Sequence, residues 1–160
     1  MSKLRKLLCV ALALAMAFSL IVLPTTMAQA ANLNSWDDAD TVTAERKEAI
    51  DVLTAIRVIE GTPGTSGKPD LDPDGILNRA TAVTFIARAV LGRDTADSLT
   101  GTAATFSDLG AGHSYAYGAI RWAVSQGIVG GYGDGRFGPD DAVTHVQFVK
   151  MLLVALGVLK

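Results

Sequence analysis

Three aspartates at alternate positions, Asp70, Asp72 and Asp74, run into Gly75, Ile76, Leu77 and Asn78 and set side-chain oxygens at the spacing of a calcium-binding loop. Such a loop needs a bidentate carboxylate at its twelfth position, and here that position is Thr81. Pro73 is awkward within so tight a turn, and the corresponding stretch from Asp134 to Asp141 does not keep the spacing. A calcium site at Asp70, Asp72, Asp74 and Asn78 is therefore only an alternative reading, in which the ion would stiffen the loop.

Anion recognition is available one residue further on. Asn78 is a good helix N-cap, which puts Arg79 in a first helical turn. A helix N-terminus carries unpaired amides and positive potential, so it favours an anion and disfavours a neighbouring cation. A basic side chain there weakens the helix and strengthens an anion site, and a planar guanidinium meets a carboxylate through two parallel hydrogen bonds. Thr144 and His145 hold the same place further along the chain, with Thr144 and Gln147 forming a capping box. An ordinary histidine is mostly neutral at pH 7, which predicts weak or acid-dependent binding at that second position.

Catalysis has little to work with. His113 and His145 lie in different parts of the chain without a recognisable nucleophile or metal-ligand neighbour, and the carboxylates are scattered over loops. The sequence predicts no enzyme and no cofactor. Trp36, Tyr115, Trp122, Tyr132 and Phe137 could stack on sugar rings or serve as packing residues. At helical spacing or beside glycine turns such residues are more often core or groove wall, and Trp122 is the one to test for ligand contact.

The elements that position these groups follow a 30-residue leader. Lys3, Arg5 and Lys6 precede an apolar stretch from Leu7 to Leu23, and Ala28-Gln29-Ala30 supplies a small-x-small site, which predicts a signal peptide over 1–30. The apolar stretch is also marginally long enough for an uncleaved membrane anchor. Cys9, the only cysteine, would leave with the leader, and with it any disulfide or thiolate chemistry. Cleavage leaves 11 of the 14 basic residues against all 16 acidic ones, a net charge of −5, which argues against nucleic acid as a partner. Contact with a membrane is expected only through the leader during export.

The remaining chain repeats itself. Trp36-Asp37 aligns with Phe106-Ser107-Asp108, Ala49-Ile50 with Ala119-Ile120, Val58-Ile59 with Ile128-Val129 and Gly61 with Gly131, all 70 residues apart. Beyond the glycine the offset falls to 66, pairing Pro73 with Pro139 and Leu77-Asn78-Arg79 with Val143-Thr144-His145, so the first unit has four extra residues in its central loop. Each unit reads as helix, glycine-rich loop, helix, and the organisation is a first repeat over 31–92, a linker over 93–105 and a second repeat over 106–160. Ala49, Val52, Leu53 and Ile56 form an apolar face on one first helix, and Ala116, Ala119, Ile120 and Ala123 on the other. Both are expected to bury against other helices, as are Val83, Ile86, Ala87 and Val90, and Phe148, Met151, Leu152 and Ala155, in the second helices. Gly127, Gly130 and Gly131 can end the first helix of the second unit. Arg57 replaces Gly127 in the first unit and predicts a different ending there.

Phe106-Ser107-Asp108, Ala116-Tyr117-Gly118-Ala119-Ile120, Gly127-Ile128-Val129-Gly130-Gly131-Tyr132, Asp134-Gly135-Arg136-Phe137-Gly138-Pro139-Asp140 and Val143-Thr144 resemble, in order and spacing, the S-layer homology repeat. The first unit is more loosely similar, through Trp36-Asp37, Gly61, Leu71-Asp72-Pro73-Asp74 and Leu77-Asn78-Arg79-Ala80. The resemblance implies an all-α fold in which three repeats form a pseudo-threefold helical bundle, on a secreted protein of the cell wall or S-layer. It implies non-covalent anchoring through a secondary cell-wall polysaccharide, or another peptidoglycan-linked glycan, commonly pyruvylated and bound between adjacent repeats. The carbohydrate-binding residues so implied are Asn78, Arg79, Trp122, Asp134, Gly135, Thr144 and His145. The family's Thr-Arg-Ala-Glu element is only partly present: the first unit lacks the Glu, and the second has His145 at the basic position. With two repeats where the family uses three, association with another repeat or a second copy is expected. The alternative is a calcium-binding or self-associating surface module without glycan affinity.

Overall fold

The structure, a computed structural model, describes residues 36–102 and 106–159. The leader and Cys9 lie outside the described residues. The first unit has a 3-10 turn (Ala39–Thr41), helix α1 (Ala44–Ala55), strands β1 (Thr62–Pro63) and β2 (Pro69–Asp70), and helix α2 (Arg79–Leu91). A short helix α3 (Arg93–Asp97) follows. The second unit has a 3-10 turn (Ala111–Ala116) leading directly into α4 (Tyr117–Ser125), then a loop and α5 (His145–Ala155). The fold is all-α apart from β1 and β2, which pair antiparallel with Thr62 opposite Asp70. Two-residue strands are too short to leave an alternation in the sequence.

Helix α2 is central because it is apolar nearly all round. Ala80, Ala82, Val83, Ile86 and Ala87 are at most 1% exposed and share a core with Ala116, Ala119, Ile120 and Ala123, and with Phe137 and Met151. The helix packs against α3, α4 and α5. Each large side chain fully buried there, such as Ile86 or Phe137, contributes about 1.5–3 kcal/mol. The segment predicted as a linker begins with α3, whose Ala96 is buried against this core.

The apolar face predicted for α4 is buried as expected. That of α1 is not: Val52, Leu53 and Ile56 are 52%, 37% and 55% exposed, and Ala49 is exposed too. The helix is held instead by Ile50, in a separate cluster with Trp36, Val58 and Ile59 against Phe85 of α2. Periodicity establishes that a face is apolar, but the covering surface must come from elsewhere in the chain.

The two units share their polar skeleton. The Asp38 carboxylate accepts from the Leu71 and Asp72 amides at 2.8 and 2.7 Å, and Asp108 accepts from those of Phe137 and Gly138, both at 2.8 Å. The Asp37 amide donates to the Pro69 carbonyl as that of Ser107 does to Gly135, each at 2.9 Å. Asp72 (φ 51°) takes the left-handed backbone that Gly138 (φ 73°) takes in the second unit.

Candidate functional site

Helix α2 starts at Asn78, whose side-chain oxygen accepts from the Thr81 amide at 2.8 Å. The two preceding first-turn amides, of Arg79 and Ala80, donate to the carbonyls of Asp141 and Pro139, each at 3.0 Å. These donors, expected to be open to an anion, are thus occupied by the second unit's loop. The cationic group at this helix end is the Arg79 side chain.

Arg79 reaches across to the second unit. One terminal nitrogen donates to the Gly130 carbonyl at 2.6 Å, and the guanidinium carbon lies 4.9 Å from the centre of the Phe137 ring and 5.5 Å from that of Tyr132. Phe137 is fully buried, whereas Tyr132 is 53% exposed, so the cation rests on a fixed floor beside an open aromatic wall. Arg79 Nε is buried without a hydrogen-bond acceptor among the described residues. An unmet buried donor of this kind costs about 1–3 kcal/mol.

Tyr132 is itself held in place. Its hydroxyl donates to Asp141 at 2.8 Å, and this hydrogen bond, with burial and the Asp141 charge, raises its pKa against the lowering effect of Arg79 and Arg136. Arg136 lies 5.9 Å from the centre of the same ring and pairs with Asp134 at 2.8 Å, so two guanidinium groups lie within 6 Å of Tyr132. Arg136 and Asp141 were absent from the residues singled out by sequence. The signal that could have found Arg136 is its place beside Asp134 and Gly135 in the glycine-rich loop.

The other expected residues divide. Asp134 caps its own loop through the Arg136 amide at 3.0 Å, and the Gly135 carbonyl accepts from Ser107, so both shape the loop that carries Arg136 and Tyr132. Asn78 acts as a cap. Trp122 is half-buried against the main core. Thr144 and Gln147 form the predicted capping box, with the Gln147 side chain accepting from the Thr144 amide at 2.8 Å. His145 is exposed at the first position of α5, and its side chain makes no hydrogen bond or ion pair among the described residues. His113 is engaged by its own turn and the following loop: its Nδ1 accepts from the Gly110 amide and its Nε2 faces both Asp140 oxygens at 3.1 Å.

The calcium-loop residues are engaged separately. Asp74 pairs with Arg46 at 2.7 Å, Asn78 is committed to the helix cap and Asp70 lies in β2. Partial burial, then the charges of Asp38, Asp37 and Asp72, raise the Asp70 pKa. No cluster of three or more His, Cys, Asp or Glu residues among the described residues is arranged to hold a metal ion.

Residues 105–149 match the S-layer homology domain family. The chain is 34% identical over 90 residues to a cellulosome-anchoring protein of Acetivibrio thermocellus, covering 56% of this chain and 19% of that protein. It is 29% identical over 157 residues to a cell surface protein of Thermoanaerobacter kivui, covering 98% of this chain and 19% of the other. It is 35% identical over 95 residues to cell surface glycoprotein 1 of A. thermocellus, covering 59% of this chain and 4% of that protein. The chain thus spans about a fifth or less of the length of these relatives. No solved structure matches it. The loop that seats Arg79, helix α4 and the start of α5 all fall within the segment that matches the S-layer homology domain family.

Proposed function

We propose that this chain is a non-catalytic cell-surface module that anchors non-covalently to the bacterial wall by binding an acidic wall polysaccharide at Arg79. The S-layer homology domain and the relatives named as anchoring and cell-surface proteins support a place at the cell surface. The observation that carries the glycan reading is the Arg79 guanidinium, seated on Phe137 beside the exposed Tyr132, with Arg136 5.9 Å from the centre of the same ring. A sugar bearing a pyruvate ketal offers a carboxylate for the guanidinium and a ring face for Tyr132. Asn78, Asp134 and Gly135 support this groove by fixing the helix start and the loop. His145 and Thr144 mark the corresponding position on α5.

Titration calorimetry with purified wall polysaccharide tests this reading. Binding to the unmodified chain should fall at least ten-fold in Arg79→Lys, because an ammonium cannot provide the paired donors of a guanidinium. Removing the pyruvate from the polysaccharide should have a similar effect. Unchanged affinity in both cases would contradict the reading.

A further inference from the structure

The contact between α2 and α4 is the template for a second contact that the described residues leave unmade. Its two surfaces recur at opposite ends of the repeat. At an offset of 66, the buried residues Ala80 and Val83 of α2 correspond to Val146 and Val149 of α5, which are 79% and 50% exposed. At an offset of 70, the buried Ala119 and Ala123 of α4 correspond to the exposed Ala49 and Leu53 of α1. The residues remain apolar at positions where water alone would favour polar side chains.

The polar part of the contact recurs as well. Arg79 and Ala80 donate their amides to Asp141 and Pro139, and the equivalent groups are the His145 and Val146 amides and the Gly75 and Pro73 carbonyls. Asn78 forms a backbone bridge with Ala142, whose counterpart is Ile76, an isoleucine 82% exposed. The place of Arg79 against Gly130, Tyr132 and Phe137 maps onto His145 against Glu60, Thr62 and Leu71, and these three line a cleft of about 740 Å³.

We infer that α5 of one copy docks on α1 and the Glu60–Ile76 loop of a second copy, repeating the internal α2–α4 contact between chains. A second copy is the occupant because both halves of the joint are carried by this one sequence. The contact is head-to-tail, so each copy keeps one free half, and growth proceeds to a ring or an open filament. It places His145 in the partner's cleft, in the position that Arg79 takes within the chain.

Sedimentation equilibrium on the exported form of the chain tests this, loaded at up to about 100 µM, a hundred-fold above a micromolar Kd. Leu53→Glu blocks the α1 half and Val149→Glu the α5 half. Both side chains are partly exposed, so each variant should retain the parent's thermal melt at dilute concentration, and Ile76→Glu provides a second loss on the α1 side outside any helix. The unmodified chain should form species larger than a dimer, each variant alone should associate at least ten-fold more weakly, and an equimolar mixture of Leu53→Glu and Val149→Glu should stop at a 1:1 dimer through its one intact joint. A monomeric parent across this range, persistent association of either variant alone, or a mixture of folded variants that stays monomeric would overturn the inference.

Discussion

Arg57 and Gly127 end their helices in the same left-handed conformation, at φ 59° and φ 69°. The amides of Arg57 and Val58 return to the carbonyls of Thr54 and Leu53, and those of Gly127 and Ile128 to Val124 and Ala123, at 2.9–3.1 Å. The same closure is therefore reached with an arginine at a position that costs an L-residue roughly 1–2 kcal/mol. The different ending expected for the first helix does not occur: the following Val58 and Ile59 are buried in the smaller cluster and hold the turn.

Replacing Arg57 by glycine relieves that strain and loses only the exposed pair with Asp94 at 3.4 Å. Urea unfolding should show a gain of about 0.5–1 kcal/mol after the added flexibility of the unfolded chain is subtracted. Gly127→Arg should lose about 1 kcal/mol, and a loss in both variants would mean that the left-handed geometry is not the controlling factor.

Asp108 links acid stability to the loop that carries Tyr132 and Phe137. Partial burial opposes its ionisation, but the amides of Phe137 and Gly138, together with the Arg136 charge, outweigh that effect and hold its pKa below the ordinary carboxylate value. A depressed folded pKa contributes stability above the unfolded value near 3.9 and loses it as the pH falls through the folded one. Asp108→Asn should lower stability at pH 7 by about 1–3 kcal/mol and flatten the decline below about pH 4, as read from urea melts at both pH values. An acid limb unchanged by the substitution would exclude this carboxylate as its source.

Gly131 admits no side chain, since a Cβ there would lie 2.6 Å from Phe106 and 2.8 Å from the Arg136 carbonyl. Gly131→Ala should cost at least about 2 kcal/mol and loosen the Tyr132 loop, weakening polysaccharide binding as well. Gly67→Ala is the control, because a Cβ there meets nothing within 4 Å and the loss should be limited to its positive φ. Equal losses at the two glycines would show that crowding is not the cause.

Calcium should have little effect. Asp74 is paired with Arg46 and Asn78 is the α2 cap, so millimolar Ca²⁺ is expected to leave the thermal midpoint within about 1 °C of its value in chelator. A rise of several degrees would restore the loop Asp70 to Asp74 as a cation site.

The sequence made the helical fold, the caps at Asn78 and Thr144 and the buried face of α4 legible, because each depends on residues a few positions apart. Arg79 was legible as a first-turn cation for the same reason. The acceptors that close the first turn of α2 come from Pro139 and Asp141, about 60 residues away, and local spacing carries no sign of them. The exposure of Val52 and Ile56 was hidden in the same way, since an apolar stripe does not identify its partner. Asp38 and Asp108 stand 70 residues apart and were open to discovery; their role emerged only when both were seen to grip the same pair of amides.

Anchoring through Arg79 is tested most directly by co-sedimentation of the chain with purified wall sacculi, before and after the secondary polysaccharide is stripped, alongside Arg79→Ala. The account predicts retention on intact walls, loss on stripped walls and a reduction of at least ten-fold in the bound fraction's affinity for the variant. Retention that survives both stripping and the substitution, or no retention on intact walls, would contradict it.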